Sequence, residues 1–324
     1  MAVAAATLET YDSVTLREDL SNAENMISPT ETPFISMIAG KNKATKTLHE
    51  WPLVELASPS ANRVPEGEDA PAVDTPTLAF RRSNYTQISD KVVKVSDTSQ
   101  FVDGAANVED IAKQISYKLK ELKRDKEGML TANIAAVPGA AVGATTRVAA
   151  GLAAFIITNH SHGITTGAAP ILSAAPNGYP ATAAVNGVNR DLTEDLFNTV
   201  IQMVWTQGGD PKYALVSPVN KRVISKVFTG YATKYKSADD KKLVNSIDVY
   251  ESDFGQLQII PDRFIAGRDV FIIDPEYVKI STLMPTRQLP LARTGHTENR
   301  LIQGEYTLEV GNEKALGIVA DTNG

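Results

Sequence analysis

Side chains able to do chemistry are few in this chain, and they are scattered. There is no cysteine, which removes thiolate nucleophiles, disulfides and cysteine-ligated zinc at once. Of the histidines, His49 precedes Glu50, but Trp51-Pro52 follows on strand-like sequence rather than the helix of an H-E-x-x-H zinc site. His160 and His162 stand two apart in a polar stretch with no further ligand beside them. His296 lies among Thr294, Thr297 and Glu298 and reads as a loop residue. Gly40-Lys41 lacks the rest of a phosphate-binding loop, and no G-x-S-x-G elbow occurs. Glu66, Glu68 and Asp69 cluster on a proline-rich stretch, a poor platform for acid–base work. Asp239-Asp240 runs into Lys241-Lys242 and reads as a solvated loop. Residues 212–242 are locally basic, a solvated face or a modest phosphate-facing patch. The sequence therefore nominates no catalytic residue, no metal site and no cofactor.

The elements that would have to position such residues point elsewhere. The chain has 324 residues, 43% hydrophobic and 22% charged, enough for one large or two modest folded cores. A net charge of −6 argues against a dedicated nucleic-acid-binding domain. The N-terminus has no basic region ahead of Glu9 and Asp12, and the longest apolar run, near residues 148–158, is far too short to span a membrane. A soluble protein made in the cytoplasm is expected.

Residues 107–133 predict a helix of about seven turns. Val108, Ile111, Ala112, Ile115, Leu119, Leu122, Met129 and Leu130 form its apolar stripe, and Asn107 is the expected cap, with Asp110 three residues on. Its other face is charged, with Glu109/Lys113 and Lys123/Glu127 as i,i+4 pairs. Residues 1–45 form a polar arm in which Pro29 and Pro33 enforce extended backbone ahead of Phe34, Ile35, Met37 and Ile38. Residues 46–56 and 77–95 read as the strands of a long ribbon, separated by about twenty proline-rich residues that bury almost nothing. Residues 139–189 are rich in Ala, Gly and Thr and read as a surface excursion with a short helix at 147–156. A compact α/β unit follows at 190–274. It has a helix opened by Asp191 and Glu194, a strand at 213–216, and a helix capped by Ser217 with Pro218 in its first turn. A hairpin is expected to turn near Asp253-Phe254-Gly255 and another strand to run over 270–273. The closing strands, 299–310 and 314–320, predict a hairpin near Gly311-Asn312 that packs on the long helix.

Several blocks in this order resemble one family. SPTETPFISMIAG, SNYTQISDKVVKVSDTSQ, LKELKRDKE, VYESDFGQLQIIPDRF and TGHTENRLIQGEYTLEVGNEKALGIVAD are similar to the major capsid (head) proteins of tailed bacteriophages, which have the Hong Kong 97-type fold. The resemblance runs from about Ser28 to Asp321. It implies an α+β fold with an N-arm (1–45), an extended E-loop (46–95) and a peripheral domain (96–138 and 275–324) built on the spine helix. It also implies an axial domain at 190–274. The implied function is structural: hexamers and pentamers forming an icosahedral shell around double-stranded DNA in the virion, assembled in the host cytoplasm. Portal and a separate scaffold or decoration protein are the implied partners, with no membrane. No lysine occurs between Thr47 and Asp90, so covalent cross-linking through the loop is not expected, and the stretch before Ser28 is short for a built-in scaffold. Phe34, Ile35, Arg63, Glu66, Glu68, Asp69, Arg81 and Arg82 are the expected subunit-interface residues. The competing readings are a cytosolic hydrolase with 191–274 as its catalytic unit, and a receptor-binding fibre or decoration protein.

Overall fold

The computed structural model describes residues 28–323 except 39, 60, 62, 64, 68, 70–75, 103–109, 141–144, 164, 175 and 228–247. The arm before Ser28, Glu68, Asn107, Glu109 and the basic run through Lys242 therefore lie wholly or mostly outside the described residues.

Pro33 opens a short helix, α1 (Pro33–Met37), rather than prolonging extended chain, because a proline in the first turn gives up no helical hydrogen bond. Then come β1 (Gly40–Lys43), β2 (Leu48–Leu53), β3 (Phe80–Tyr85) and β4 (Gln87–Ser96), followed by α2 (Asp97–Phe101) and the long helix α3 (Ile111–Thr131). The cap of α3 is Asp110, whose carboxylate accepts the Ala112 N–H; the helix thus starts one turn later than Asn107 would place it and ends at Thr131. Short strands β5 (His160–Ser161), β6 (Ile171–Leu172) and β7 (Pro180–Thr182) lead to α4 (Glu194–Thr206), β8 (Tyr213–Val216) and α5 (Pro218–Val227). Thr193, not Asp191, caps α4, and Ser217 caps the start of α5 as its sequence predicts. The chain closes with β9 (Val249–Ser252), β10 (Gly255–Pro261), β11 (Val270–Ile273), β12 (Val278–Pro290), β13 (Thr297–Val310) and β14 (Leu316–Val319).

Two sheets organise these elements. A four-stranded sheet has the order β1-β12-β13-β4, and α3 lies on it through Ile111, Ile115 and Leu122 against Val93, Val95 and Ile302. A six-stranded sheet has the order β5-β14-β11-β8-β10-β9, with α4 and α5 packed through Phe197, Val200, Ile201 and Ile224. Gly317 on β14 lets α4 settle there, since a Cβ would meet Val200 at 2.5 Å. One continuous apolar core runs beneath both sheets, from Phe34 and Leu130 to Phe271 and Leu316.

Three expectations need correction. The long ribbon is split at Thr86: β2 pairs only with β3, while β4 leaves to pair with β13. The Thr86 N–H donates to Thr47 O and its hydroxyl to Glu305, so that residue serves both partners. The closing strands do not form a hairpin. β13 pairs with β12 and β4, whereas β14 crosses into the six-stranded sheet beside β11 and β5. A single turn at Glu313–Ala315, capped by Asn312, makes the crossing. Residues 139–189 are not all surface: 149–156 form one of the most buried stretches, and the helix expected at 147–156 is reduced to a short 3-10 turn at Leu152–Ala154. Gly151 keeps that stretch against the end of α3, because a Cβ there would fall 2.0 Å from Ala132 O.

Candidate assembly surfaces

The ribbon β2–β3 is rooted firmly, and the described residues beyond it are exposed. At the root, Trp51 is buried and its Nε1–H donates to Val310 O at 2.7 Å. Asn84, fully buried on β3, accepts the Ala150 N–H and donates to Leu308 O, tying the ribbon to the core stretch and to β13. His49 lies 2.9 Å from Glu309. Burial alone would raise the Glu309 carboxyl, yet hydrogen bonds from His49, Ser281 and Asn42 hold it down at about 2. His49 is thus a structural partner for a buried carboxylate.

Beyond the root, apolar side chains among the described residues are left exposed. Leu56 is 85% exposed and Leu78 77% exposed. Two strands alone cannot bury them. Glu55 ties the chain just past β2 to the body, pairing with Lys314 at 2.9 Å. At the tip, Glu66 and Gly67 form a turn, and Arg63, Glu66 and Asp69 are exposed. Arg81 sits beside Glu50 across the same strand pair at 3.6 Å, and Arg82 covers the Phe80 ring at 5.0 Å. Burial lowers the Arg82 guanidinium below its ordinary value, against the opposing pull of Glu313 and Glu55. The two arginines therefore meet groups of their own chain, not the acidic tip.

Phe34 and Ile35 were expected at a subunit contact, and here the structure departs from the sequence reading. Phe34 is 0% exposed within its own chain's core, and Ile35 packs partly against the same core. Their N–H groups donate to the two oxygens of Glu127 on α3, at 2.6 and 2.9 Å. Glu127 is fully buried, not part of the solvated charged face that Lys123/Glu127 suggested. Burial pushes its carboxyl up to about 7, with the two amides pulling the other way. One sequence signal did point to this: six residues without an apolar side chain, Lys123 to Gly128, interrupt the stripe of a helix that is otherwise packed. On the charged face of α3, Lys91 of β4 pairs with Asp125 at 2.7 Å and Lys118 with Glu121 at 2.8 Å. Lys126 covers the Tyr306 ring at 4.4 Å, and burial, with Lys41 nearby, lowers its ammonium to about 8.

Other exposed apolar groups mark separate patches. Phe101 of α2 is 89% exposed, and Trp205 of α4, tilted against the Phe254 ring at 5.4 Å, is 55% exposed. His160 and His162 are ring neighbours near Asp321, and burial lowers both imidazoles. His296 lies beside Asp97. Among the described residues no three His, Asp or Glu side chains gather as a metal site. The arrangement is one of anchored projections and unfilled apolar surface, which is what self-association requires.

A profile of the SU10 major capsid protein family matches residues 4–323. The chain belongs to the SU10 major capsid protein family. The major capsid protein of Escherichia phage Phieco32 is 26% identical over 353 residues, covering 95% of each chain. Among solved structures, the capsid asymmetric unit of cyanophage A-1(L) superposes with a TM-score of 0.71 at 13% identity, covering 98% of this chain and 99% of that one. The holo-SrpI encapsulin complex of Synechococcus elongatus is similar at a TM-score of 0.57 and 10% identity, over 98% and 96%. Mycobacterium phage Bobi provides another at a TM-score of 0.59, 13% identity, 98% and 100%. The fold is thus the Hong Kong 97-type α+β capsid fold. As a phage major capsid protein the chain is a structural component of the virion, not an enzyme, and associates with itself into a shell. The hydrolase and fibre readings fall with that membership.

Proposed function

We propose that this major capsid protein assembles as hexamers and pentamers into an icosahedral shell around double-stranded DNA, in the host cytoplasm. Portal and a separate scaffold or decoration protein would act as accessory partners. The four-stranded sheet with α3 serves as the peripheral domain and the six-stranded sheet with α4 and α5 as the axial domain. β14 joins the axial part although it lies at the C-terminal end of the chain. β2, β3 and the segment between them serve as the E-loop.

The observation that carries this reading is the contrast along that ribbon, rooted through Trp51 and Asn84 yet exposing Leu56 and Leu78 beyond the root. A neighbouring copy supplies the missing surface. Each fully covered leucine contributes roughly 1.5–3 kcal/mol, enough to couple ordering of the loop to assembly. Arg63, Glu66 and Asp69 at the tip, with Glu68 between them in sequence, add charge complementarity to that contact, joined by Arg81. DNA contacts are non-specific and fall on the more basic face of the shell.

Deleting residues 59–76 tests the reading. The subunit should keep its circular dichroism spectrum and fail to form shells by negative-stain microscopy. Normal shells from the deleted protein would sink the assembly role of the ribbon.

A further inference from the structure

Glu127 on α3 and Asp262, just past the end of β10, are both fully buried, and each carboxyl bears on the other's charge. Glu127 already spends an oxygen on each of two amides, Phe34 at 2.6 Å and Ile35 at 2.9 Å. Asp262 accepts the Phe264 N–H on Oδ1 at 2.9 Å, but among the described residues its Oδ2 is buried with no hydrogen-bond partner. Arg124, less than a turn before Glu127 on α3, lies over the Phe264 ring at 5.7 Å, which sets this part of the helix against the turn that carries Asp262, and the Glu127 and Asp262 carboxyls each act on the other's protonation. Two ionised carboxylates are acceptors only, so a hydrogen bond between them exists only when one carries a proton.

No cation takes the proton's place. Lys123, one turn back on α3, lowers Glu127 only as a distant charge. Arg124 on the same helix lays its guanidinium over Phe264 at 5.7 Å, with its Nε buried and unpartnered. Among the described residues neither forms a salt bridge with Glu127 or Asp262. From the other side, α1 contributes only backbone amides, having no titratable side chain. The residues after β10 contribute Asp262 and the backbone of Arg263 and Phe264.

We infer that Glu127 and Asp262 share one proton, and that the pair is a pH-sensitive latch holding α1 to the spine helix and to the end of β10. With the proton in place, the hydroxyl oxygen of the acid still has a lone pair for an amide, and Asp262 Oδ2 gains its missing donor. Loss of the proton leaves two negative charges in a dry site. Moving one into water relieves them, and Glu127 cannot move without releasing the Phe34 and Ile35 amides. Burial, aided by Asp262, sets the Glu127 carboxyl at about 7, so the latch turns over near neutrality. An acid raised in the folded state favours folding most below its ordinary value of 4.5, and that contribution is lost as pH rises towards about 7. The latch goes beyond the assembly reading: it links the arm's attachment to pH whether or not shells form.

The test uses the full chain and its Glu127→Gln and Asp262→Asn variants between about pH 5.5 and about pH 8.5. In the unmodified protein the unfolding midpoint should fall by several degrees across that range. Exchange protection of a peptide covering 28–38 should drop about tenfold, and an infrared band from a protonated buried carboxyl should disappear. Glu127→Gln should flatten all three, with the band missing from the start. Parallel pH profiles in the two proteins, or a carboxyl band untouched by either variant, would overturn the latch. If Glu127→Gln fails to fold, Asp262→Asn leaves the clamp on the amides intact and carries the same comparison. Failure to assemble in any variant bears on the ribbon and leaves these readouts unchanged.

Discussion

The ribbon and α1 are each tied to the rest of this capsid protein through a buried glutamate, and the two glutamates lie at opposite ends of the carboxylate range. Glu309 holds the root of the ribbon and is kept down at about 2; Glu127 holds α1 and is pushed up to about 7. Both are nearly or fully out of solvent, so burial alone does not separate them. The partners do. Glu309 collects side-chain donors from three elements, His49, Ser281 and Asn42. Glu127 has two amides, and a second carboxyl bears on its charge. A buried acid surrounded by donors is a permanent fastening, while one set against another acid is conditional on a proton. The ribbon's root is therefore built to persist, and the attachment of α1 to respond.

The strongest way to break the comparison is at the permanent end. Trp51→Ala removes a buried ring together with its bond to Val310 O and should cost about 3–5 kcal/mol in urea denaturation. A loss near zero would mean the ribbon root does not hold the fold. Glu309→Ala strands His49, Ser281 and Asn42 and should cost about 3 kcal/mol near neutral pH. The pH dependence sharpens the contrast. Glu309, lowered from 4.5 to about 2, contributes stability that is present above 4.5 and is lost as pH falls through about 2. Glu309→Gln should accordingly flatten the acid limb of the stability profile, whereas Glu127→Gln flattens the limb near neutrality; the same limb responding to both would erase the distinction. The smallest effect on the subunit belongs to the ribbon's exposed end. Leu56→Ser should change subunit stability by no more than about 0.5 kcal/mol and yet raise the protein concentration needed for shells in light scattering. A large stability loss there would mean the leucine is already covered.

Much of the secondary structure was legible in the residues. Ile111, Ile115, Leu122 and Leu130 of the α3 stripe, the Ser217-Pro218 start of α5, the buried strands at 213–216 and 270–273 and the turn before Gly255 appear where their patterns place them, whereas Leu119 of the same stripe is exposed and Val108 lies outside the described residues. Local signals were also misread by a turn or less, as with Asp110 and Thr193 taking the caps assigned to Asn107 and Asp191. Arg63, Glu66 and Asp69 are exposed, while Phe34 disappears into its own core and Arg81 and Arg82 meet Glu50 and Phe80. An arginine's sequence does not say which carboxylate or ring will lie within reach, because that depends on strand register. Glu309 and Glu127 were invisible as a pair of opposites for the same reason. Each looks like an ordinary surface acid until strands or helices from distant sequence close over it.

By itself the sequence determined α3, α4, α5 and the buried strands β8 and β11, and that the segment between β2 and β3 has too little apolar content to stand alone; it did not determine α1, where Pro33 reads as extended chain, or 147–156, which reads as helix and holds a single 3-10 turn. Only the tertiary structure decided the pairing. It split the ribbon at Thr86, sent β14 away from β13 into the other sheet, and drew 149–156 from an apparent surface excursion into the core. Periodicity records that a residue needs burial and on which face of its own element. It carries no information on which partner supplies that burial, since any apolar face of the right width satisfies the same pattern, and the choice is made by packing across the whole chain.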